Sequence, residues 1–303
     1  MKCLPGRTAV ITGAASGFGL EFSRIAAERG LHVVMADVQA DALEAAAQQI
    51  RALGAEVETC VGNVARAADV QALADATVRR FGIPNLVFNN AGVAHGGLIW
   101  EHSLQDWEWV LGVNLMGVAH GLRVFMPMMV EAARRDPAYE GHMVNTASMA
   151  GLVCAPNMGV YNVSKHAVVA MTETLAQDLA LVTDQIGASV LCPYFVPTGI
   201  SRSHRNRPDD LRSEQRPTAS QLIAQAMSDK AVSSGKVSAV DVARMTFDAI
   251  ERGQFYIYSH PQSLGPVQTR MEDVLQGRNP SDPFASRPEV GQRLRDALRG
   301  TAP

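Results

Sequence analysis

Apolar positions along the 303 residues follow two alternating rhythms. Short runs of β-branched and other apolar residues, bounded by turn formers, read as buried strands. They lie at 8–12, 32–36, 56–61, 85–88, 142–147, 187–192 and 254–258. Between them, apolar residues recur at helical spacing over 18–29, 40–52, 67–80, 104–133, 159–183, 218–227 and 239–251. Gly30, Gly54, Gly82 and Gly253 each stand before a strand, where helix-terminating glycines belong. This alternation predicts a doubly wound α/β fold: a parallel sheet of about seven strands with helices on both faces. Two stretches break the rhythm. Residues 199–217 are polar and Arg-rich, with Pro208 and Pro217, and 261–303 are a Pro/Arg-rich extension ending in an amphipathic pattern from Val290 to Leu298. We therefore expect one cofactor-binding and catalytic domain over 1–260, a substrate-covering loop near 198–236, and a C-terminal extension over 261–303.

The first strand runs into Gly13-Ala14-Ala15-Ser16-Gly17-Phe18-Gly19 and then into the helical pattern Leu20, Phe22, Ile25, Ala26. Glycines between a strand and a helix allow a tight turn and let a helix N-terminus approach a pyrophosphate. The spacing is Gly-x-x-x-Gly-x-Gly. The second strand ends at Asp37, eighteen positions after Gly19, near the offset expected for a carboxylate on the adenosine ribose. Such a carboxylate accepts from both ribose hydroxyls and repels a 2′-phosphate. Val38-Gln39-Ala40 supply no cation to hold that phosphate, so NAD is expected over NADP. Asp37 as a mere helix cap is the structural alternative, although Asp41 can also serve there.

Tyr161 follows Ser148 by thirteen positions and opens Tyr161-Asn162-Val163-Ser164-Lys165. A Tyr and a Lys four apart share one helix face. An ammonium beside a phenol favours the phenolate, which makes Tyr a general acid/base near neutral pH. Ser148 supplies a hydroxyl to hold a substrate oxygen. A surface helix with a solvated Tyr and Lys would carry the same spacing, so the preceding Gly-rich turn gives the pair its meaning.

Taken together, Thr12-Gly13-x-x-x-Gly17-x-Gly19, Asn89-Asn90-Ala91-Gly92, Asn114, Ser148 and Tyr161-x-x-x-Lys165 resemble the short-chain dehydrogenase/reductase family, single-domain type, over roughly residues 5–260. The resemblance implies a Rossmann-like fold and catalysis by Asn114, Ser148, Tyr161 and Lys165, with Asn114 anchoring a water between the lysine and solvent. It implies cofactor contacts from Gly13, Ser16, Gly17, Phe18, Gly19, Asp37, Val38, Asn63, Val64, Asn90, Ala91, Gly92, Tyr161, Lys165, Pro193, Val196 and Thr198. Two positions depart from the family pattern. Asn63 stands where Asp is usual, and Tyr194 replaces the Gly of Pro-Gly-x-Val-x-Thr, putting a ring near the nicotinamide or pocket wall.

Ser148, Tyr161, His95, Ala150, Tyr194 and Phe195 are candidate substrate contacts, with Val93, Ala94, Met149, Val153 and Met158 around them. Most are apolar, which predicts a hydrophobic secondary alcohol or ketone, aromatic or alicyclic. An acid-bearing substrate held by Arg202, Arg205, Arg207 and Arg212 is the alternative. A non-catalytic NAD-binding regulator, a sugar-nucleotide epimerase or dehydratase, and an interaction protein using the extension complete the set. The intact Ser/Tyr/Lys trio weighs against the first, the turn spacing and the short extension against the second, and for the third the extension is expected instead to pack on a neighbouring subunit or edge the pocket.

Composition narrows the partners. The chain is 47% hydrophobic and 19% charged with net charge −3, which suits a globular α/β domain and offers no basic field for nucleic acid or an anionic membrane. No uninterrupted apolar run reaches the 18 residues of a membrane span, and the start lacks a signal-peptide core. Cys3, Cys60, Cys154 and Cys192 are widely spaced, which fits reduced thiols, a cytoplasmic setting and no metal site. Association into a homodimer or homotetramer is expected through the helices at 104–133 and 159–183.

Overall fold

The computed structural model describes Met1, 5–213 and 215–300; Cys3 lies outside these residues. Seven strands form one sheet: β1 (Thr8–Thr12), β2 (His32–Asp37), β3 (Val57–Val61), β4 (Leu86–Asn89), β5 (Gly141–Thr146), β6 (Ile186–Cys192) and β7 (Tyr256–Tyr258). Their order is β3-β2-β1-β4-β5-β6-β7, and every pairing is parallel. The order reverses between β1 and β4, so a crevice opens beyond their carboxyl ends, where ligands of such sheets bind.

The central strands are buried on both faces, and alternation divides their side chains between two cores. Ile11, Val33, Met35 and Phe88 face helices α1 (Gly17–Glu28), α2 (Ala40–Arg51) and α8 (Ala239–Glu251). There Phe22 stacks on Phe88 at 4.5 Å between ring centroids, and Phe88 meets Phe247 at 5.6 Å. Val10, Val34, Val87 and Met143 face α3 (Ala67–Phe81), α5 (Gly117–Arg135) and α6 (Gly159–Val182). Burying one such Phe contributes about 1.5–3 kcal/mol, so the stack anchors β4 under the crevice.

The helix expected over 104–133 is not continuous. It divides into α4 (Leu104–Leu111), a π-helical turn (Gly112–Met116) and α5. Leu104–Arg135 is long and apolar enough by length and composition to cross a membrane. Here Trp109, Val110, Phe125 and Met129 are buried inside the fold, as in a core helix. Capping boxes start three helices: Ser103 with Asp106 at α4, Thr218 with Gln221 at α7 (Ala219–Ser233), and Ser238 with Asp241 at α8. Positive φ at Gly30, Gly54, Gly82 and Gly253 agrees with their expected helix-ending places.

The extension is helical rather than irregular. It carries α9 (Gly265–Leu275) and α10 (Pro288–Arg299). The latter covers the amphipathic pattern read from sequence, and the former was not anticipated. Leu264 and Val267 pack on the core under β6, and Leu294 of α10 is buried.

Candidate active site

A cleft of about 1850 Å³ runs along the carboxyl ends of the strands. At one end the Gly-rich turn leads from β1 into α1. Gly13 has φ 66°, and a Cβ there would stand 2.9 Å from the Cα of Ala91. A Cβ on Gly19 would meet the Gly13 carbonyl oxygen at 2.1 Å, so no other residue fits. Ser16 at the N-cap accepts no hydrogen bond from the helix, and the first turn holds no acidic residue. The uncapped amides and helix dipole leave an anion cradle facing the cleft.

Asp37 ends β2 beside this turn. One carboxylate oxygen accepts from the Ala15 amide at 3.1 Å and the other from the Gln39 amide at 3.0 Å. These bonds hold the carboxylate in the cleft wall. Arg205 reaches the same edge from the loop after Thr198: its guanidinium bonds the carbonyls of Gly199 and Arg202 and lies 3.4 Å from Gln39 Oε1. Sequence placed no cation here, because Arg205 is 166 residues from Gln39. Asn63 spends its carbonyl on the Ala65 amide, and its backbone amide donates to Asp69. Thr12, quoted only as part of the motif, holds the neighbouring loop: its hydroxyl accepts from the amides of Asn90 and Ala91, while Asn90 Nδ2 donates to the Thr12 carbonyl.

At the centre, Ser148 follows β5 and caps a 3₁₀ turn (Met149–Gly151), accepting from the Ala150 amide at 3.1 Å. Tyr161 and Lys165 project from the first turns of α6. Lys165 Nζ donates to the Thr146 carbonyl at 2.9 Å and lies 5.7 Å from the Tyr161 ring centroid. Burial pulls the Lys165 pKa down to about 8, with Cys192 acting in the opposite sense. Burial also pushes the Tyr161 phenol above its ordinary value, while a hydrogen bond with Ser148 pulls it down. The expected lowering of the phenol by Lys165 is not found in the protein by itself: desolvation outweighs the hydrogen bond with Ser148 and the phenol stands above its ordinary value.

The π turn explains Asn114. The wider turn puts this Asn in the core, where Nδ2 donates to the Val93 carbonyl at 2.9 Å and to Ser164 Oγ at 3.0 Å. Its carbonyl accepts from the Val93 amide at 2.8 Å. Asn114 Oδ1 and Lys165 Nζ would each lie 3.5 Å from a Cβ on Gly92. Functional sites often carry such π insertions.

The other expected contacts Phe18, Val38, Val64, Ala150, Pro193, Val196 and Thr198 line the cleft, as do Gly17, Tyr194 and Phe195. Tyr194 and Phe195 lie 4.5 Å apart by ring centroid. Gly19 and Asn114 act from beneath the wall. His95 does not line the cleft. Its Nε2 lies 3.3 Å from Asp106 Oδ1 and 3.4 Å from Gln221 Nε2, which draws the ring away from the substrate end. Arg207 bonds the same Asp106 oxygen at 2.6 Å and stacks over Trp109 at 5.1 Å. The Asp106 carboxyl is held well below its usual range: burial raises it, but the bonds from His95, Ser103 and Arg207 prevail. His95, His102 and Asp106 converge within 4.8 Å, a spacing that a metal ion could bridge. The Arg207 guanidinium already puts a positive charge on that carboxylate. Of the Arg-rich loop, Arg207 is thus internally paired and Arg212 pairs with Asp209.

The sequence profile of the short chain dehydrogenase family matches residues 7–209. A CLA biosynthesis dehydrogenase/reductase of Lactiplantibacillus plantarum is 33% identical over 91% of this chain and 95% of its own. A 1-deoxy-11-beta-hydroxypentalenate dehydrogenase of Streptomyces avermitilis is 33% identical over 88% of this chain and 87% of its own. The solved structure of a short chain dehydrogenase/reductase from Burkholderia phymatum in complex with NAD is 51% identical, with TM-score 0.91, covering 94% of this chain and all of that one. Motif, sheet order and kinship agree: the chain belongs to the short-chain dehydrogenase/reductase family of oxidoreductases.

Proposed function

We propose that the protein interconverts a secondary alcohol and a ketone on a hydrophobic small molecule, with NAD as its cofactor. The observation that carries this reading is the convergence of Ser148, Tyr161 and Lys165 on one cleft with the Gly-rich turn and Asp37. The residues fit the cofactor. The uncapped α1 N-terminus would take the pyrophosphate, Asp37 the adenosine ribose hydroxyls, and Lys165 the nicotinamide ribose. NAD, when bound, supplies the hydride acceptor. The solved NAD complex and the hydroxypentalenate dehydrogenase among the relatives support this choice.

Tyr161 takes the hydroxyl proton of the alcohol, or returns it to the ketone oxygen. Ser148 donates to that same oxygen and stabilises the charge that develops there. Asn114 fixes the Val93 backbone beside Lys165 and holds the geometry of the proton exit. Because burial favours the neutral phenol, Tyr161 is armed as a donor for ketone reduction at neutral pH. Alcohol oxidation therefore gains rate as pH rises and more phenolate forms.

Association into dimers or tetramers through α4, α5 and α6 belongs to the same reading. Exposed Leu104, Met116, Leu181 and Val182 on these segments support it, and the mass in solution at micromolar concentration checks it.

The test is turnover of a panel of aliphatic, alicyclic and aryl secondary alcohols with NAD and, separately, NADP. Tyr161→Phe is expected to lower kcat by two or more orders of magnitude while leaving NADH affinity within a few-fold. Full activity of that variant would sink the assignment.

A further inference from the structure

The extension closes the substrate end of the cleft. Val274 from α9, Phe284 from the following loop, and Val290 and Leu294 from α10 line it, as do Tyr194 and Phe195. These surfaces are apolar and suit the body of a hydrophobic substrate. Among the polar groups that border them, one stands out. Arg270 of α9 is half-buried and lines the cleft, and its Nη1 lies 3.5 Å from the Leu152 carbonyl. Among the described residues no carboxylate reaches it. A guanidinium has five N–H donors in a planar fork suited to a carboxylate, and Leu152 occupies at most one of them.

Two acidic groups line the same stretch, and one of them is charge-paired. Asp273, one turn further along α9, is buried, pairs with Arg278 at 2.9 Å and accepts from the Ser281 amide at 2.9 Å. Asp282 accepts from the Phe284 amide and has no cationic partner among the described residues. Arg287 and Arg293 line the same wall, also without a carboxylate partner among the described residues. Arg270, Arg287 and Arg293 thus outnumber the one unpaired carboxylate, Asp282, in this part of the lining, which carries net positive charge.

We propose that Arg270 binds a carboxylate carried by the substrate, making the preferred substrate a hydrophobic hydroxy acid or keto acid. This rests on the alcohol–ketone reading of Ser148 and Tyr161. It moves acid recognition from Arg207 and Arg212 of the Arg-rich loop, which are internally paired, to the extension.

The test separates binding from turnover. Calorimetry measures nonanoate and its neutral analogue nonanamide on the full chain with NADH bound. Nonanoate should bind at least tenfold tighter, and the preference should shrink in high salt. Arg270→Gln should abolish it, Arg270→Lys should keep part of it, and Arg287→Gln should leave most of it. Equal binding of the two ligands, or a preference that survives Arg270→Gln, overturns the proposal. Turnover of 8-hydroxynonanoate against nonan-2-ol, with NAD, then tests the reading beneath. If nonan-2-ol is oxidised and no anion preference exists, the reaction stands and the anion site falls. If the anion preference follows Arg270 and neither alcohol turns over, the site stands and the reaction reading falls.

Discussion

His142 lies on β5, beneath the strand end that carries Ser148, and makes the sharpest quantitative prediction. Its ring is buried between β6 and the core, with Nε2 2.8 Å from Ser189 Oγ, which donates in turn to the Gln254 carbonyl. Gly187 leaves room for it: a Cβ there would lie 2.6 Å from the imidazole Nδ1. Burial pushes the imidazole pKa from 6.5 down to about 3, with the chain's amino terminus acting in the same sense. The folded protein thus holds this ring neutral, while the unfolded chain binds a proton below pH 6.5. Stability contributed by the neutral ring is complete above 6.5 and falls as pH drops towards 3. At pH 5 the difference is 1.5 pH units below the unfolded value, or about 2 kcal/mol; below pH 3 it approaches about 5 kcal/mol. His102 and His260 are also lowered by burial and steepen the same slope. Urea unfolding at pH 8 and pH 5 isolates the share of His142 when wild type is compared with His142→Gln. The variant is expected to lose stability at pH 8, because the ring leaves a cavity. Its further loss between pH 8 and pH 5 should be about 2 kcal/mol smaller than in wild type. An identical loss in both proteins would refute the argument that the buried ring is kept neutral.

Two substitutions probe the cofactor end. Asp37→Asn removes one charge from the edge where the adenosine ribose is to bind, and a unit charge pair 4 Å apart is worth about 1–4 kcal/mol at effective dielectrics of 80 to 20. The ratio of NADP to NAD affinity should rise tenfold or more, read by fluorescence titration of the reduced cofactors; an unchanged ratio would show that Asp37 is not the selector. Gly19→Ala puts a methyl group against the Gly13 carbonyl at 2.1 Å, so α1 must shift. NADH affinity should fall at least tenfold with the far-ultraviolet circular dichroism retained, and wild-type affinity would show that the turn is not the cofactor cradle.

The sheet was legible because its signal is local. Each central strand is a short apolar run, and each helix shows its own period, so their alternation is written in consecutive residues. The Gly-rich turn, Asp37 and the Tyr161/Lys165 pair were legible for the same reason: spacing along one segment fixes their geometry. What escaped the sequence depends on distant contacts. Nothing near His95 announces that it will turn towards Asp106, because the Arg207 that completes that cluster is 101 residues from Asp106. The π turn left one trace, an Asn in mid-helix with no local partner. Its partners, the Val93 backbone and Ser164, are 21 and 50 residues away. The raised Tyr161 pKa was hidden for a related reason. Proximity of Lys165 can be read from a four-residue spacing, whereas desolvation depends on everything packed around the ring.

The same division separates reaction from selectivity in this fold. Groups for hydride and proton chemistry sit where strands end, held by backbone that the sheet fixes, so local motifs suffice to find them. Groups that would choose the substrate come from the loop after β6 and from the extension, and reach the cleft only through long-range packing. Arg270 touches the Leu152 carbonyl across 118 residues, beyond the reach of any motif. An Arg-rich loop looks like an anion site in the sequence, yet in the fold Arg207 and Arg212 are spent on Asp106 and Asp209. An arginine in the extension, unremarkable by spacing, is left without a carboxylate at the cleft wall. For a positive charge, the informative property is whether the fold has already neutralised it.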